Sequence, residues 1–376
     1  PRVRIGRLAH RMTDAPTRTE RRRSLLRLRR GMRILELRER IMEICYGCLA
    51  AALALASPAR VPYAWGGEAA ARLAGDDERM TQGLLFPVAS GFQSLFDVAN
   101  GTEVVRLLAA VALGGAVIAT LVCLRRLGFR RSASLPATFA AYGSVFAWRG
   151  STSPVDYAFG LLGSALLLQT LCTQEQTTRR GYHWRAVLFA GLAYMLHPET
   201  VLLVPAVAIA VARHPAYRDA QAVNLMAVLV VLGMSIASGL SGSNEFAQAG
   251  HLAERALGGA DGFSPAALVR WIPALLLGFG AVLLGVYALV LDTRAGDSKR
   301  APLWIVPWCF AAIAPLIAGT PTATPIAPYL VPAGALGLAD WLNRRGSRAR
   351  ERTAGTAVLL AQLALLALAL SRPLPA

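Results

Sequence analysis

The residues of this chain best suited to chemistry gather between its first two apolar runs. Trp65-Gly66-Gly67-Glu68 is followed by Asp76-Asp77-Glu78 and then by Gln82-Gly83-Leu84-Leu85-Phe86-Pro87. A carboxylate at Glu68, Asp76 or Asp77, part buried against Trp65, suits a general base that takes the proton of an incoming hydroxyl. The competing reading of each is a solvated loop charge or a helix-start residue that complements the helix dipole. Arg106, Arg149 and Arg270 stand at the ends of apolar runs, the depth of a lipid phosphate, and a guanidinium offers phosphate two donors at once. Each would serve equally as a snorkelling interface anchor, Arg149 beside Trp148 most plainly. His197, with Glu199 nearby, and His251 bring metal binding to mind, but the chain has no HExxH and no ordered Asp-x-Asp. Asp76 and Asp77 are adjacent, and on a helix adjacent carboxylates point about 100° apart. No metal and no cofactor is assigned.

The elements that must position these residues are apolar. Of 376 residues, 55% are hydrophobic and only 16% charged, with a mean hydropathy of +0.45. Those proportions exclude a soluble globule with a wetted surface, and the long apolar runs exclude a disordered tail, a collagen and a disulfide-rich module. The expected fold is all-α, a polytopic transmembrane helix bundle. Its candidate spans are residues 41–57, 104–124, 133–148, 155–172, 186–197, 199–212, 222–240, 267–291, 302–319, 327–342 and 355–371, eleven in all. His197-Pro198 falls between two short runs, and the pair reads as a hairpin because of charge. With eleven spans and the N-terminus inside, 31 basic residues lie on the cytoplasmic side and 8 outside, whereas one merged helix gives 24 and 15.

The net charge of +17 is almost wholly arginine, with Lys299 the single lysine. Its clustering at span ends follows the positive-inside pattern and gives no footing for nucleic acid. Residues 1–40 form an arginine-rich cytoplasmic tail, in which the stretch from Arg21 to Arg40 suits a basic helix on anionic headgroups. The tail contributes orientation and attachment to membrane lipids rather than activity. Residues 41–371 form the bundle, with long outer loops at 58–103 and 241–266 and no separate soluble domain. The apolar stretch from Leu84 to Phe96 in the first loop suits a helix lying on the membrane. Cys45, Cys48, Cys123, Cys172 and Cys309 lie within or beside apolar runs, and they are expected to pack as small hydrophobes without disulfides.

The order of these features resembles the GT-C superfamily of membrane glycosyltransferases, in particular bacterial relatives of protein O-mannosyltransferases and aminoarabinose transferases. The resemblance covers roughly residues 41–342. It rests on a first span leading to the Trp65-Gly66-Gly67-Glu68 and Gln82-to-Pro87 segments, then Arg106-Leu107-Leu108 and Leu124-Arg125-Arg126-Leu127-Gly128 around the second span. Ser153 to Leu162, Ala190 to Glu199 and Ala327-Pro328-Tyr329-Leu330-Val331-Pro332 follow in the family's order. The family's usual first-loop aspartate and its His-Pro pair are missing, and Pro328 stands where arginine is expected. The resemblance implies transfer of a sugar from a polyprenyl-phosphate donor to a lipid, glycan or protein acceptor on the outer face of a bacterial inner membrane. It implies catalysis by Glu68 with Asp76 or Asp77, and substrate binding by Arg106, Arg149, Arg270, His197 and Tyr329. The alternative is a GT-C-like scaffold or assembly subunit that has lost the chemistry; a transporter is disfavoured, since no charge is fixed at mid-span and no interrupted helix pair repeats.

Overall fold

The computed structural model describes residues 18–57, 85–96, 101–152, 157–176, 276–294, 327–344 and 347–371, with single positions between 189 and 210 and at 305 and 308. Every regular element among them is helical: α1 (Arg18–Ala56), α2 (Leu85–Phe96), α3 (Gly101–Arg126), α4 (Arg131–Tyr142), α5 (Val145–Thr152), α6 (Tyr157–Gln176), α7 (Ala281–Arg294), α8 (Ala327–Asn343) and α9 (Arg348–Ser371). The chain divides into two units, Pro1–Cys45 and Tyr46–Ala376. The first carries the basic stretch of α1, helical as its composition suggests, with Arg40 paired to Glu36 one turn away at 2.6 Å. Both side chains are exposed, so that pair adds only ~0.3–0.5 kcal/mol.

In the second unit α3 is the longest helix wholly within it. Glu103 in its first turn and Arg125 and Arg126 in its last complement the helix dipole. Gly128, at φ +83°, ends it: the Gly128 N–H bonds the Arg125 carbonyl at 2.9 Å and the Phe129 N–H the Leu124 carbonyl at 3.1 Å. That pair of bonds is a Schellman stop, and it needs a residue that tolerates positive φ. Among the described residues two helices are long and apolar enough to cross a membrane, Glu103–Arg126 and Arg348–Leu368, and α5 with α6 makes a third if their 119° bend interrupts one span. The more buried of the two is the first, with 67% of its apolar window inside the protein against 22% for the second. So α3 is packed on most of its surface, with Val111 outward, and α9 presents Leu360, Leu363 and Leu368 outward.

Eleven spans were expected, and among the described residues two of those runs are interrupted at glycine. The run 133–148 is two helices. Pro136 removes one N–H from the α4 ladder, and the Gly143 and Ser144 N–H groups close the last turn on Phe139 and Ala141 before Val145 starts α5. In the run 267–291, helix at 276–279 stops at Gly280, φ +46°, and resumes as α7. The runs 186–197, 199–212, 222–240 and 302–319 lie outside the described residues apart from positions 189, 191–193, 200, 203, 206, 207, 209, 210, 305 and 308. Breaks of this kind free backbone groups that lipid cannot satisfy. Gln362 of α9 answers both: its Oε1 accepts the Ala281 N–H at 2.9 Å and its Nε2 donates to the Gly143 carbonyl at 3.4 Å.

Contacts fix the helix directions. Ser132 meets Glu351, Pro136 lies against Gly355 and Gly143 meets Gln362, each pair 219 residues apart, so α4 and α9 run parallel and in register. Val282 touches Gly334 and Leu289 touches Gly337, so α7 and α8 are parallel too. Gly47 of α1 faces Ile118 while Ala51 faces Gly114, which makes α1 and α3 antiparallel. Since only four residues separate α3 from α4 and four separate α8 from α9, one end of the bundle collects the end of α3, the start of α4, the end of α8 and the start of α9. The opposite end collects the end of α1 and the starts of α3 and α8.

Candidate functional site

That opposite end is where α1 runs out of backbone donors. The last carbonyls of a helix have no partner within it. Arg106, one turn into α3, supplies them: its Nη2 donates to the Leu55 carbonyl at 2.9 Å and to the Ser57 carbonyl at 2.5 Å. Ser57 itself bonds back to Leu53 through N–H and hydroxyl. A cation is favoured at a helix C-terminus, so the contact is electrostatic as well as geometric. Glu103 lies 3.7 Å from the Arg106 Nη1 and is largely exposed, while Arg106 is only 19% exposed. Its Nε is buried and has no hydrogen-bond partner among the described residues.

Beside this junction lies α2. Phe92 packs on the cluster formed by Val104, Val105, Ala109 and Ala112 of α3 with Ala158 and Phe159 of α6, and against Phe96 at 4.4 Å between ring centroids. Val88, Leu95 and Phe96 stay exposed, Leu95 at 77%. An apolar helix thus presents large hydrophobic side chains outward while its Phe92 packs on Val104 and Val105, in the stretch of α3 that carries Arg106. The sequence expectation of a helix ending at Phe96 is met over Leu85–Phe96, and Leu84 lies outside the described residues.

Of the residues assigned to the site, Glu68, Asp76, Asp77, His197 and Arg270 lie outside the described residues. Arg149 is on α5. That helix begins at Val145, which packs with Trp148 on Leu366, far along α9 from its arginine-bearing start. Tyr329 lies in the first turn of α8, wholly buried, and its carbonyl accepts the Trp308 indole N–H at 2.8 Å. Arg106, Arg149 and Tyr329 therefore sit on elements directed to one end of the bundle, the end away from the arginine turns. Among the described residues no group of three His, Cys, Asp or Glu side chains could hold a metal ion.

The cysteines divide. Cys123 and Cys172 are buried in the core as expected, but Cys45 and Cys48 are exposed on α1 because the small residues Gly47 and Ala50 take its inner face. Three polar constellations were not foreseen. Glu351, fully buried, accepts from Arg130 and Ser132 at 2.6 Å each. Gln362 stitches the two helix breaks. Thr120 and Tyr142 share a buried hydrogen bond of 2.7 Å, and the Tyr142 hydroxyl also donates to the Ala116 carbonyl at 3.2 Å. The signals were present: Glu351 is the one acid among arginines in Arg348-Ala349-Arg350-Glu351-Arg352, and Gln362 is the one polar residue of a long apolar run.

Compared with protein families, characterised proteins and solved structures, the chain matches none of them.

Proposed function

We propose that this protein is an integral membrane glycosyltransferase of GT-C type, moving a sugar from a polyprenyl-phosphate donor to an acceptor at the outer face of a bacterial inner membrane. The observation that supports it best is the juxtaposition of α2, with Leu95 and Phe96 exposed, and Arg106 at the end of the bundle. A prenyl chain needs an apolar surface reached from lipid, and its phosphate needs a cation at interface depth; α2 and Arg106 supply one of each. Glu68, or Asp76 with Asp77, is the base for the acceptor hydroxyl, in the loop that connects α1 to α2. Arg149 and Arg270 complete the phosphate clamp, and His197 and Tyr329 bound the substrate pocket.

In the transfer step the acceptor oxygen loses its proton to the carboxylate and forms the new bond to the anomeric carbon. The bond from that carbon to the lipid phosphate breaks, and the phosphate leaves with the electron pair, held by guanidinium donors. The chemistry needs no redox partner. A second reading, a scaffold without catalysis, is favoured by one observation: Arg106 already spends two donor contacts on α1 carbonyls.

Transfer of radiolabelled sugar from several polyprenyl-phosphate donors, in membranes holding wild type or Glu68→Gln, separates the two. The enzyme reading expects transfer by the wild type and a loss of ~100-fold or more in the variant. Absence of transfer with every donor, or near-normal transfer by both Glu68→Gln and the Asp76→Asn, Asp77→Asn double variant, would overturn it.

A further inference from the structure

The parallel register of α4 and α9 places their first turns side by side. Arg130 and Ser132 both grip Glu351, so the turn at residues 125–131 and the turn at residues 344–352 become one surface although Arg130 and Glu351 are 221 residues apart in sequence. Arg126, Arg130, Arg131, Arg348, Arg350 and Arg352 are all exposed on it. Within residues 125–131 and 340–352 the two acids are both inside: Glu351 is answered by Arg130 and Ser132, and Asp340 by Arg344 one turn away on its own helix. What these two segments present outward is positive.

Helix dipoles do not account for this arrangement. Arg131, Arg348 and Arg350 occupy first turns, where the dipole of a helix disfavours cations, and α4 has no acid in its first turn. Orienting a protein in the membrane requires arginines on each turn separately; it does not require the turns to be tied together by a buried carboxylate. The rim also lies where Glu103–Arg126 ends and Arg348–Leu368 begins, two helices long and apolar enough to cross a membrane, and so at the depth of headgroups.

We propose that this joined arginine rim is a docking surface for the phosphate headgroups of anionic phospholipids. Guanidinium forks match phosphate oxygens in pairs, and basic surfaces between spans at the headgroup level recognise lipids carrying net negative charge. The inference is independent of the transferase reading, which concerns the other end of the bundle.

The test uses the full chain released from vesicles of phosphatidylcholine mixed with phosphatidylglycerol, with native mass spectrometry counting the lipids that stay bound. The wild type is expected to retain phosphatidylglycerol in clear preference to phosphatidylcholine. A triple variant, Arg348→Gln, Arg350→Gln and Arg352→Gln, keeps the Arg130–Glu351 pair; at about fivefold in affinity per arginine it should weaken phosphatidylglycerol binding roughly 100-fold. A control, Arg60→Gln, Arg72→Gln and Arg79→Gln in the loop between α1 and α2, changes net charge equally and should bind as the wild type does. Equal retention of both lipids by the wild type would overturn the proposal without recourse to any variant. So would equal loss in the control, which would make total charge the cause, or displacement of the lipid by inorganic phosphate at matched ionic strength, which would make the surface a site for free phosphate.

Discussion

At the scale of single residues, Arg106 has two jobs to be told apart. If it caps α1, Arg106→Leu should lower stability by about 1.5–3 kcal/mol, the range for hydrogen bonds made by a charged donor. Denaturant unfolding in detergent measures this. A variant of unchanged stability whose only defect is a raised KM for lipid-linked sugar would instead assign Arg106 wholly to the substrate. Gln362→Leu keeps most of the volume but strips partners from the Ala281 N–H and the Gly143 carbonyl. Each buried group left bare costs about 1–3 kcal/mol, so the variant should melt well below the wild type. The sequence exposed Arg106 by its position one turn into an apolar run. It could not expose the partner, because the Leu55 and Ser57 carbonyls belong to backbone that any residues would carry. Glu351 was hidden for a related reason: among arginines an acid reads as a solvated charge until the fold brings Arg130 and Ser132 onto it.

At the scale of elements, packing between α7 and α8 depends on bare backbone. A Cβ on Gly285 would lie 1.9 Å from the Gly334 carbonyl oxygen, and one on Gly337 would lie 2.0 Å from the Gly285 carbonyl oxygen. Small residues let helix backbones approach in a membrane, where association rests on close contact rather than on exclusion of water. Gly285→Val should therefore abolish the stable fold, whereas Gly91→Val on α2, with nothing near its would-be Cβ, should be tolerated. Expression and gel-filtration profiles in detergent compare the two. Tyr142→Phe, which removes the buried bond between α3 and α4, should cost less, roughly 0.6–1.7 kcal/mol. Hydropathy located these helices because burial and lipid exposure both select apolar residues. It missed the breaks at Gly143 and Gly280 because a glycine inside an apolar run looks the same whether it serves close packing, as Gly285 does, or interrupts the helix. Only the partner across the interface, Gln362 in one case and Gly334 in the other, decides between the two.

At the scale of the whole molecule, the second unit has two chemically different ends. One gathers the arginine turns around Glu351. The other gathers the C-terminus of α1, Arg106, Tyr329 and the outward apolar face of α2. Charge counting alone anticipated that residues 125–131 and 344–352 share a side, and the contacts between Ser132 and Glu351 carry that assignment into the fold. The number of crossings was less legible, because short apolar runs serve equally as spans, broken spans and buried connections. The transferase account requires the arginine end to face the cytoplasm, since the base, the clamp and the lipid-linked sugar must then meet outside.

Single cysteines at Ser57→Cys and Ser347→Cys, in a chain with Cys45, Cys48, Cys123, Cys172 and Cys309 replaced by Ala, test that requirement directly. In intact cells a membrane-impermeant maleimide should label position 57 and leave position 347 untouched until the cells are permeabilised. Labelling of position 347 from outside, with 57 protected, would turn the bundle over and place Glu68 and Arg106 on the cytoplasmic side, contradicting transfer at the outer face.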